Sequence, residues 1–383
     1  MQIKSVEVKA VRIPMSGQQR NARRTWTHKP MLFCFVTAED GTVGVGEGWT
    51  SYASTAALQA TIEDDVAPLV VGRTLEEARD LNARVRDACV MSGRYGILAV
   101  ALSAVEMALW DIRARQEGVP LWQLLGGTSA EVPVYASGGL YAPDKTPERL
   151  GEELVSYVQR GHRRVKIKVG GADHDTDVAR VAASRAAIGP DVDLYVDAHY
   201  TKDEEAAARF ADALVPHAVG WFEAPIIPDD WKGHDRLAAR APIPLCGNET
   251  LPWRTSFARL AEAGVGYLMP DVSACGGVEE TLAVGNIAQE AGAELTLHSS
   301  SSAVLFLASL HVAAAHPAAH SVEFHMMHNW FYDLAGLDAV EVVEGRLRIP
   351  DRPGLGLDPH ALAAALEAPM RGVGEESPVL KHG

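Results

Sequence analysis

Eight ionisable residues recur through the second half of this 383-residue chain, each beside or closing a short apolar run. They are Lys166 and Lys168 in VKIKV, Asp197 in YVDAH, Glu223 in WFEAP, Glu249 in GNET, Asp271 in MPDVS, His298 in TLHSS and Glu323 in SVEFH. In a strand, alternate side chains share a face. Lys166 and Lys168 therefore point one way, and Val165, Ile167 and Val169 the other. Two ammonium groups side by side on a buried face repel and lose hydration. That pushes the pKa of at least one down, toward a base working near neutral pH. The plainer alternative is an exposed edge strand whose lysines guard against aggregation.

Asp197, Glu223 and Glu249 follow one another at intervals of 26 residues. Three converging carboxylates repel strongly without a cation. Their oxygens, with water and substrate oxygens, suit octahedral Mg2+, and Mn2+ can substitute. The alternative is that one or two are protonated or paired with the lysines. Asp271 and His298 close neighbouring apolar runs, where a carboxylate can fix an imidazole's tautomer and raise its basicity. A satisfied core histidine is the other reading. Glu323 closes the last run, beside the dyad, as a candidate acid or hydrogen-bond donor to a substrate oxygen.

The elements that must carry these groups follow from the pattern around them. From about Val132, short apolar strands alternate with helical stretches. The strands expected are Val132–Ser137, Arg164–Val169, Asp193–Asp197, Gly220–Glu223, Leu245–Gly247, Tyr267–Pro270, Leu295–His298 and Ser321–Phe324. Strands and helices alternating at this spacing spell a (β/α)8 barrel of the α/β class, whose working groups gather at the C-terminal strand ends. The first 125 residues read as an α+β unit: strands Ile3–Ile13, Met31–Ala38 and Thr42–Glu47, then helices from Ser54 to about Glu117. Thr74-Leu75-Glu76-Glu77 looks like a helix start. The polar stretch Ser16–Pro30, with Arg20, Arg23, Arg24, Trp26 and His28, reads as a functional loop. Expected boundaries are 1–125 for the first domain, 126–326 for the barrel and 327–383 for a tail.

The net charge of −15 disfavours nucleic acid and anionic membranes as partners. An anionic substrate would need a local cation. The cysteines Cys34, Cys89, Cys246 and Cys275 have no CxxC spacing, so reduced cytoplasmic thiols are expected. The N-terminus alternates like a strand and lacks a signal-peptide core. The apolar stretch Tyr95–Trp110 is interrupted by Ser103 and Glu106 and reads as a buried helix rather than a membrane span.

In order and spacing, Lys166-Ile167-Lys168, Asp197, Glu223, Glu249, Asp271, His298 and Glu323 resemble the enolase superfamily, mandelate racemase subgroup. The stretch ALSAVEMALWDIRARQEGVPLWQLLGG adds to the likeness, which covers nearly the whole chain. The resemblance implies a modified TIM barrel with an N-terminal capping domain that the C-terminal tail completes. It implies a carboxylate substrate chelating Mg2+ at Asp197, Glu223 and Glu249, and loss of the proton α to that carboxylate. It casts Lys166 as stabiliser of the enediolate, Glu323 as hydrogen-bond donor, and Lys168 and the His298–Asp271 dyad as bases on opposite sides of the substrate. Lys168 is then the lysine whose pKa its neighbour lowers.

Such a site dehydrates acid sugars to 2-keto-3-deoxy acids, or racemises, epimerises or cycloisomerises hydroxy acids. A non-catalytic metal-binding scaffold is a remote third case. His199, two residues after Asp197, shares the inward face. Some sugar-acid dehydratases of the family use a histidine there to help the leaving hydroxyl, so dehydration of an aldonate or aldarate is the reading adopted. Arg23, Arg24, Trp26 and Tyr52 are candidate substrate contacts, with Arg94 and Trp330 as further pocket residues. A homo-oligomer is expected from the resemblance alone.

Overall fold

The computed structural model describes residues 1–15, 19–50, 54–91, 95–326 and 341–367. Tyr52, Arg94 and Trp330 lie outside them. The chain begins with an antiparallel sheet of β1 (Ile3–Pro14), β2 (His28–Ala38) and β3 (Val43–Gly48). Helices α1 (Thr55–Ala60), α2 (Leu81–Ala88) and α3 (Ile97–Gln116) follow. The expected helix start at Thr74 makes its capping bonds: Glu77 accepts from Thr74 N at 2.8 Å, and Glu77 N donates to Thr74 Oγ1 at 3.2 Å. Bonds such as Arg79 N to Glu76 O and Leu81 N to Ala78 O then span three residues, and a regular helix begins only at Leu81.

The sheet is two-sided, and its alternation decides what each side meets. Met31, Phe33, Phe35 and Val45 enter the core shared with the barrel, whereas Leu32, Cys34 and Val36 enter the core shared with α3. In β3 the residues turned toward α3 are glycines. A Cβ on Gly44 would sit 2.2 Å from Ala108 O, and one on Gly46 would sit 2.0 Å from Ala104 O. Only glycine lets the helix lie this close. The same phase turns Val45 and Glu47 to the barrel. Apart from its first turn and last residues, α3 is buried through most of its length. Among the described residues no helix is long and apolar enough to cross a membrane.

After the short helix α4 (Leu121–Leu124) comes the barrel. Its strands are β4 (Glu131–Ser137), β5 (Arg164–Lys168), β6 (Asp193–Asp197), β7 (Val219–Glu223), β8 (Leu245–Gly247), β9 (Tyr267–Leu268), β10 (Glu294–Leu297) and β11 (Ala319–His325). They pair in parallel in chain order, and β11 closes on β4 through Val322↔Val134 to His325↔Ser137. The outer helices are α5 (Pro147–Gln159), α6 (His174–Ile188), α7 (Glu204–Leu214), α8 (Trp231–Arg240), α9 (Trp253–Glu262), α10 (Val278–Ala291) and α11 (Ala303–Ala315). All eight expected strands are present. β9 is shorter than expected, since Pro270 has no N–H for the ladder.

Inside the barrel, side chains stack in layers. Tyr135, Tyr195, Trp221, Cys246 and Met269 form a buried lower layer, with Tyr195 and Trp221 stacked at 3.4 Å. Two residues further along the strands, the layer above is ionic. The register aligns Lys168 with Asp197 and Asp197 with Glu223. An aromatic floor thus lies under a charged chamber.

The hairpin β12 (Val342–Val343) and β13 (Arg346–Arg348) pairs antiparallel with the start of β4. The chain then crosses to the first domain, where α12 (Pro359–Ala365) is the last element among the described residues. Leu355 N donates to Asp111 at 2.7 Å, Arg115 donates to Leu357 O at 2.7 Å, and Lys9 pairs with Glu367.

Candidate active site

The charged chamber sits at the C-terminal strand ends. A hollow of about 680 Å3, lined by Glu131, Phe306, Leu310, Val343 and Arg346, lies instead by the start of β4 and holds none of the chamber groups.

β5 turns both lysines inward. Lys166 is fully buried. Its Nζ donates to the two oxygens of Glu223 at 2.8 and 2.9 Å and pairs with Glu323 Oε1 at 2.9 Å. The Tyr135 hydroxyl lies 3.5 Å away. Burial alone would lower the Lys166 pKa, but Glu223 and Glu323 outweigh it and raise it well above the ordinary value. Lys168 donates to Asp197 Oδ2. Its pKa is raised too: burial and Lys166 lower it, and the Asp197 charge overcomes both. This reverses the expectation of a lysine made basic by its neighbour. Repulsion between the two ammonium groups is present, but each has a carboxylate in contact.

On the opposite part of the rim, His298 Nδ1 bonds Asp271 Oδ2 at 2.6 Å. Asp271 Oδ1 accepts from Ser273 N at 2.8 Å and Ser273 Oγ at 2.5 Å, which fixes the carboxylate. With Nδ1–H donated to Asp271, Nε2 faces Glu323 Oε2 at 3.5 Å. Burial would lower the His298 pKa, but Glu323 and then Asp271 reverse this and raise it to about 9. Glu323 moves the other way. Burial favours its acid form, yet Lys166 and His298 hold it well below the usual carboxylate range. In this arrangement it accepts from Ser299 N at 3.1 Å and pairs with Lys166 Nζ at 2.9 Å.

His199 and Tyr200 follow Asp197 with φ of 49° and 61°, a left-handed turn that non-glycine residues rarely adopt. The turn directs His199 N to Asp197 Oδ1 at 2.8 Å and the Tyr200 hydroxyl to Glu249 Oε2 at 2.5 Å. His199 Nδ1 is 3.8 Å from Glu249 Oε1. Burial outweighs the nearby Asp197 and Glu249 and lowers the His199 pKa, so the ring is neutral at neutral pH. Arg23 donates to the carbonyls of His199, at 2.8 Å, and of Tyr200, which commits its guanidinium to the protein itself. Arg24 and Trp26 line a surface hollow of about 270 Å3 with Arg12, His28 and Ser54.

The donor set of Asp197, Glu223 and Glu249 fits a hard divalent cation in chemistry: three buried carboxylates, two of them ending β6 and β7 and the third two residues beyond the adjacent β8. The Glu223 carboxyl is costly to ionise where it lies. Burial and then Asp197 push its carboxyl up to about 8, although Lys166 is in contact. As the side chains stand, Asp197 is turned to Lys168, Glu223 to Lys166 and Glu249 to Tyr200. Among the described residues no three His, Cys, Asp or Glu side chains converge as a ready-made metal cluster.

Sequence reasoning passed over several residues of the chamber and its walls. Tyr135 and Tyr200 touch Lys166 and Glu249. His325 lies two residues beyond Glu323 on the same face of β11. Lys29 and Glu47 are buried in the first domain. The signal was available for Lys29 and Glu47, since each stands in the phase of the barrel-facing apolar residues of its strand.

Known proteins resemble this chain in sequence and in fold. Residues 3–126 match the family model "Mandelate racemase / muconate lactonizing enzyme, N-terminal domain", and residues 149–363 match "Enolase C-terminal domain-like". The chain is 34% identical over 322 residues to arabinonate dehydratase of Saccharolobus solfataricus, covering 84% of this chain and 86% of that protein. It is 31% identical over 337 residues to D-galactarolactone cycloisomerase of Agrobacterium fabrum, covering 84% and 87%. In three dimensions it matches a racemase from Streptomyces coelicolor A3(2) with bound magnesium at a TM-score of 0.86 and 29% identity, over 95% of this chain and 99% of that one.

Proposed function

The chain belongs to the mandelate racemase/muconate lactonizing enzyme family, and on that footing we propose that it dehydrates an acid sugar, an aldonate or aldarate, to a 2-keto-3-deoxy acid. The observation that carries the reading is a pair of proton-handling groups, Lys168 and the His298–Asp271 dyad, on two parts of one rim with Lys166 between carboxylates beside them.

Asp197, Glu223 and Glu249 are the residues that would hold a divalent ion, Mg2+ by preference. When bound, such an ion supplies Lewis acidity to the substrate carboxylate and makes the α-proton more acidic. Lys168 takes the α-proton. It does so as the free amine, a form that burial and Lys166 favour once Asp197 is no longer turned to it. Lys166 faces the negative charge that develops on the carboxylate oxygens of the enediolate. His298, held as the imidazolium by Glu323 and Asp271, delivers its Nε2 proton to the departing β-hydroxyl, which leaves as water. The resulting enol takes a proton at the former β-carbon, gives up its hydroxyl proton to solvent and becomes the ketone. Neutral His199 is placed to hydrogen-bond a substrate hydroxyl.

A second reading is favoured by the likeness to a cycloisomerase: the α-proton is removed in the same way, and either it returns to the α-carbon from the other face or the β C–O bond that breaks belongs to a ring of the same molecule, so that no water is lost. The test is incubation of the full chain and Mg2+ with a panel of aldonates and aldarates, followed by assay of 2-keto acids. A 2-keto-3-deoxy product is expected. Solvent deuterium in recovered or epimerised substrate with no keto product would replace dehydration by isomerisation. No α-proton exchange from any acid would remove both.

A further inference from the structure

The barrel-facing side of the first sheet carries two ionisable residues among its apolar ones, Lys29 at 3% exposure and Glu47 at 0%. Both reach the segment that joins His298 to α11. Glu47 Oε1 accepts from Ser301 Oγ, and its Oε2 accepts from Ser302 Oγ and from Leu305 N at 3.1 Å. Lys29 Nζ donates to Ser300 O. Ser302 is the N-cap of α11, accepting from Val304 N at 3.0 Å. Glu47 thus takes the next free amide of that helix from another domain, where a negative charge is favourable.

The end of β3 reaches the other half of the dyad as well. Trp49 N donates to Ser273 O at 3.2 Å, and Ser273 fixes Asp271. The Trp49 ring stands edge-on to His298, with centroids 6.0 Å apart and planes at 80°. Two residues apart, Glu47 near the end of β3 and Trp49 just beyond it grip the loops of both dyad members.

We propose that Glu47 is a positioning residue for His298: through Ser301 and Ser302 the first domain sets the imidazole against Asp271 and Glu323. The inference rests on the proposed role of His298 in proton transfer. Glu47 touches no reacting atom, and its effect passes through the loop. A ring displaced by about 1 Å costs on the order of a hundredfold in rate, so truncating Glu47 lowers kcat while KM stays nearly constant.

The test uses the full chain with Glu47→Ala, Glu47→Gln and the double variant Ser301→Ala/Ser302→Ala. The first readout needs no substrate: the NMR signal of the His298 Nδ1 proton in 15N-histidine-labelled protein, identified by its loss in His298→Asn. A downfield signal reporting the short bond to Asp271 is expected in the parent chain. It should broaden or move upfield in Glu47→Ala and persist, weakened, in Glu47→Gln. Where Glu47→Ala does not fold, the serine double variant gives the same comparison. The second readout is kcat and KM on whichever acid sugar the panel identifies, with kcat reduced at least about tenfold in Glu47→Ala and partly recovered in Glu47→Gln. A folded variant whose His298 signal is unchanged overturns the proposal. Failure of the functional reading shows separately, as absence of exchange in the parent chain, and leaves the NMR comparison standing.

Discussion

Replacing Lys166 by methionine removes the ammonium but nearly keeps the volume. The structure sets the size of the effect. Lys166 and Glu323 have no exposed side-chain surface, and Glu223 only 1%. One ammonium serves both carboxylates, at 2.8 to 2.9 Å. Such a contact is worth about 6 kcal/mol of attraction at an effective dielectric of about 20. Breaking a buried pair by removing one partner costs about 3–5 kcal/mol, because the other charge stays behind without compensation. Lys166→Met should therefore lose about 3–5 kcal/mol of unfolding free energy, read by urea titration in EDTA at pH 8.

The sign with pH follows. Lys166 is raised and Glu323 depressed, so their mutual stabilisation holds from above the carboxylate's unfolded pKa to below that of lysine. In the variant, carboxylates left without the ammonium take up protons as the pH falls, and the penalty shrinks toward pH 5. Adding Glu323→Gln should return about 1–3 kcal/mol at pH 8, the coupling expected of groups in contact. A loss below about 1 kcal/mol, or a double variant whose losses simply add, would refute the reasoning.

Other outcomes follow from the same geometry. His298 has a folded pKa of about 9 against 6.5 unfolded, so its contribution is fully present below 6.5 and is lost as the pH rises through 9. At 1.36 kcal/mol per pH unit this is about 3 kcal/mol. The difference in urea stability between the metal-free parent chain and His298→Asn should narrow by that order between pH 6 and 10, and a difference independent of pH would contradict it. Arg23→Ala unlatches residues 19–27 from the His199–Tyr200 turn. Loss of its hydrogen bonds should cost about 1–3 kcal/mol and speed proteolytic cleavage in that stretch, and an unchanged cleavage rate would show that the latch carries no load.

The barrel was legible because its strands declare themselves twice. They are apolar and short, and they end in groups that have no reason to share a phase unless they share a chamber. Asp197, Glu223 and Lys168 were readable for that reason, and the register puts them at one level. What the sequence withheld depends on contacts between distant segments. The Lys168 pKa follows from which way Asp197 turns, which no local pattern encodes. The role of Arg23 depends on His199 and Tyr200 adopting positive φ, which neither residue favours. Glu47 is hidden because its partners, Ser301, Ser302 and Leu305, lie more than 250 residues away. Yet the run VGVGEG already says that glycines face a helix and that the glutamate faces the other way. Lys29 is hidden because the polar stretch Ser16–Pro30 reads as a loop, whereas β2 already begins at His28.

The central claim is that this chamber ionises the bond between hydrogen and the carbon α to a carboxylate. The most direct measurement follows that hydrogen. Acid sugars are incubated in D2O with the full chain and Mg2+, with EDTA as control, and with Lys168→Ala and His298→Asn alongside, and substrate and product are analysed by proton NMR. The account predicts loss of the α-proton from at least one acid sugar, dependent on Mg2+, abolished in Lys168→Ala, and accompanied by a 2-keto-3-deoxy product that fails to form in His298→Asn. An α-proton that stays in place in every acid with Mg2+ present, or turnover that survives both substitutions, would contradict it.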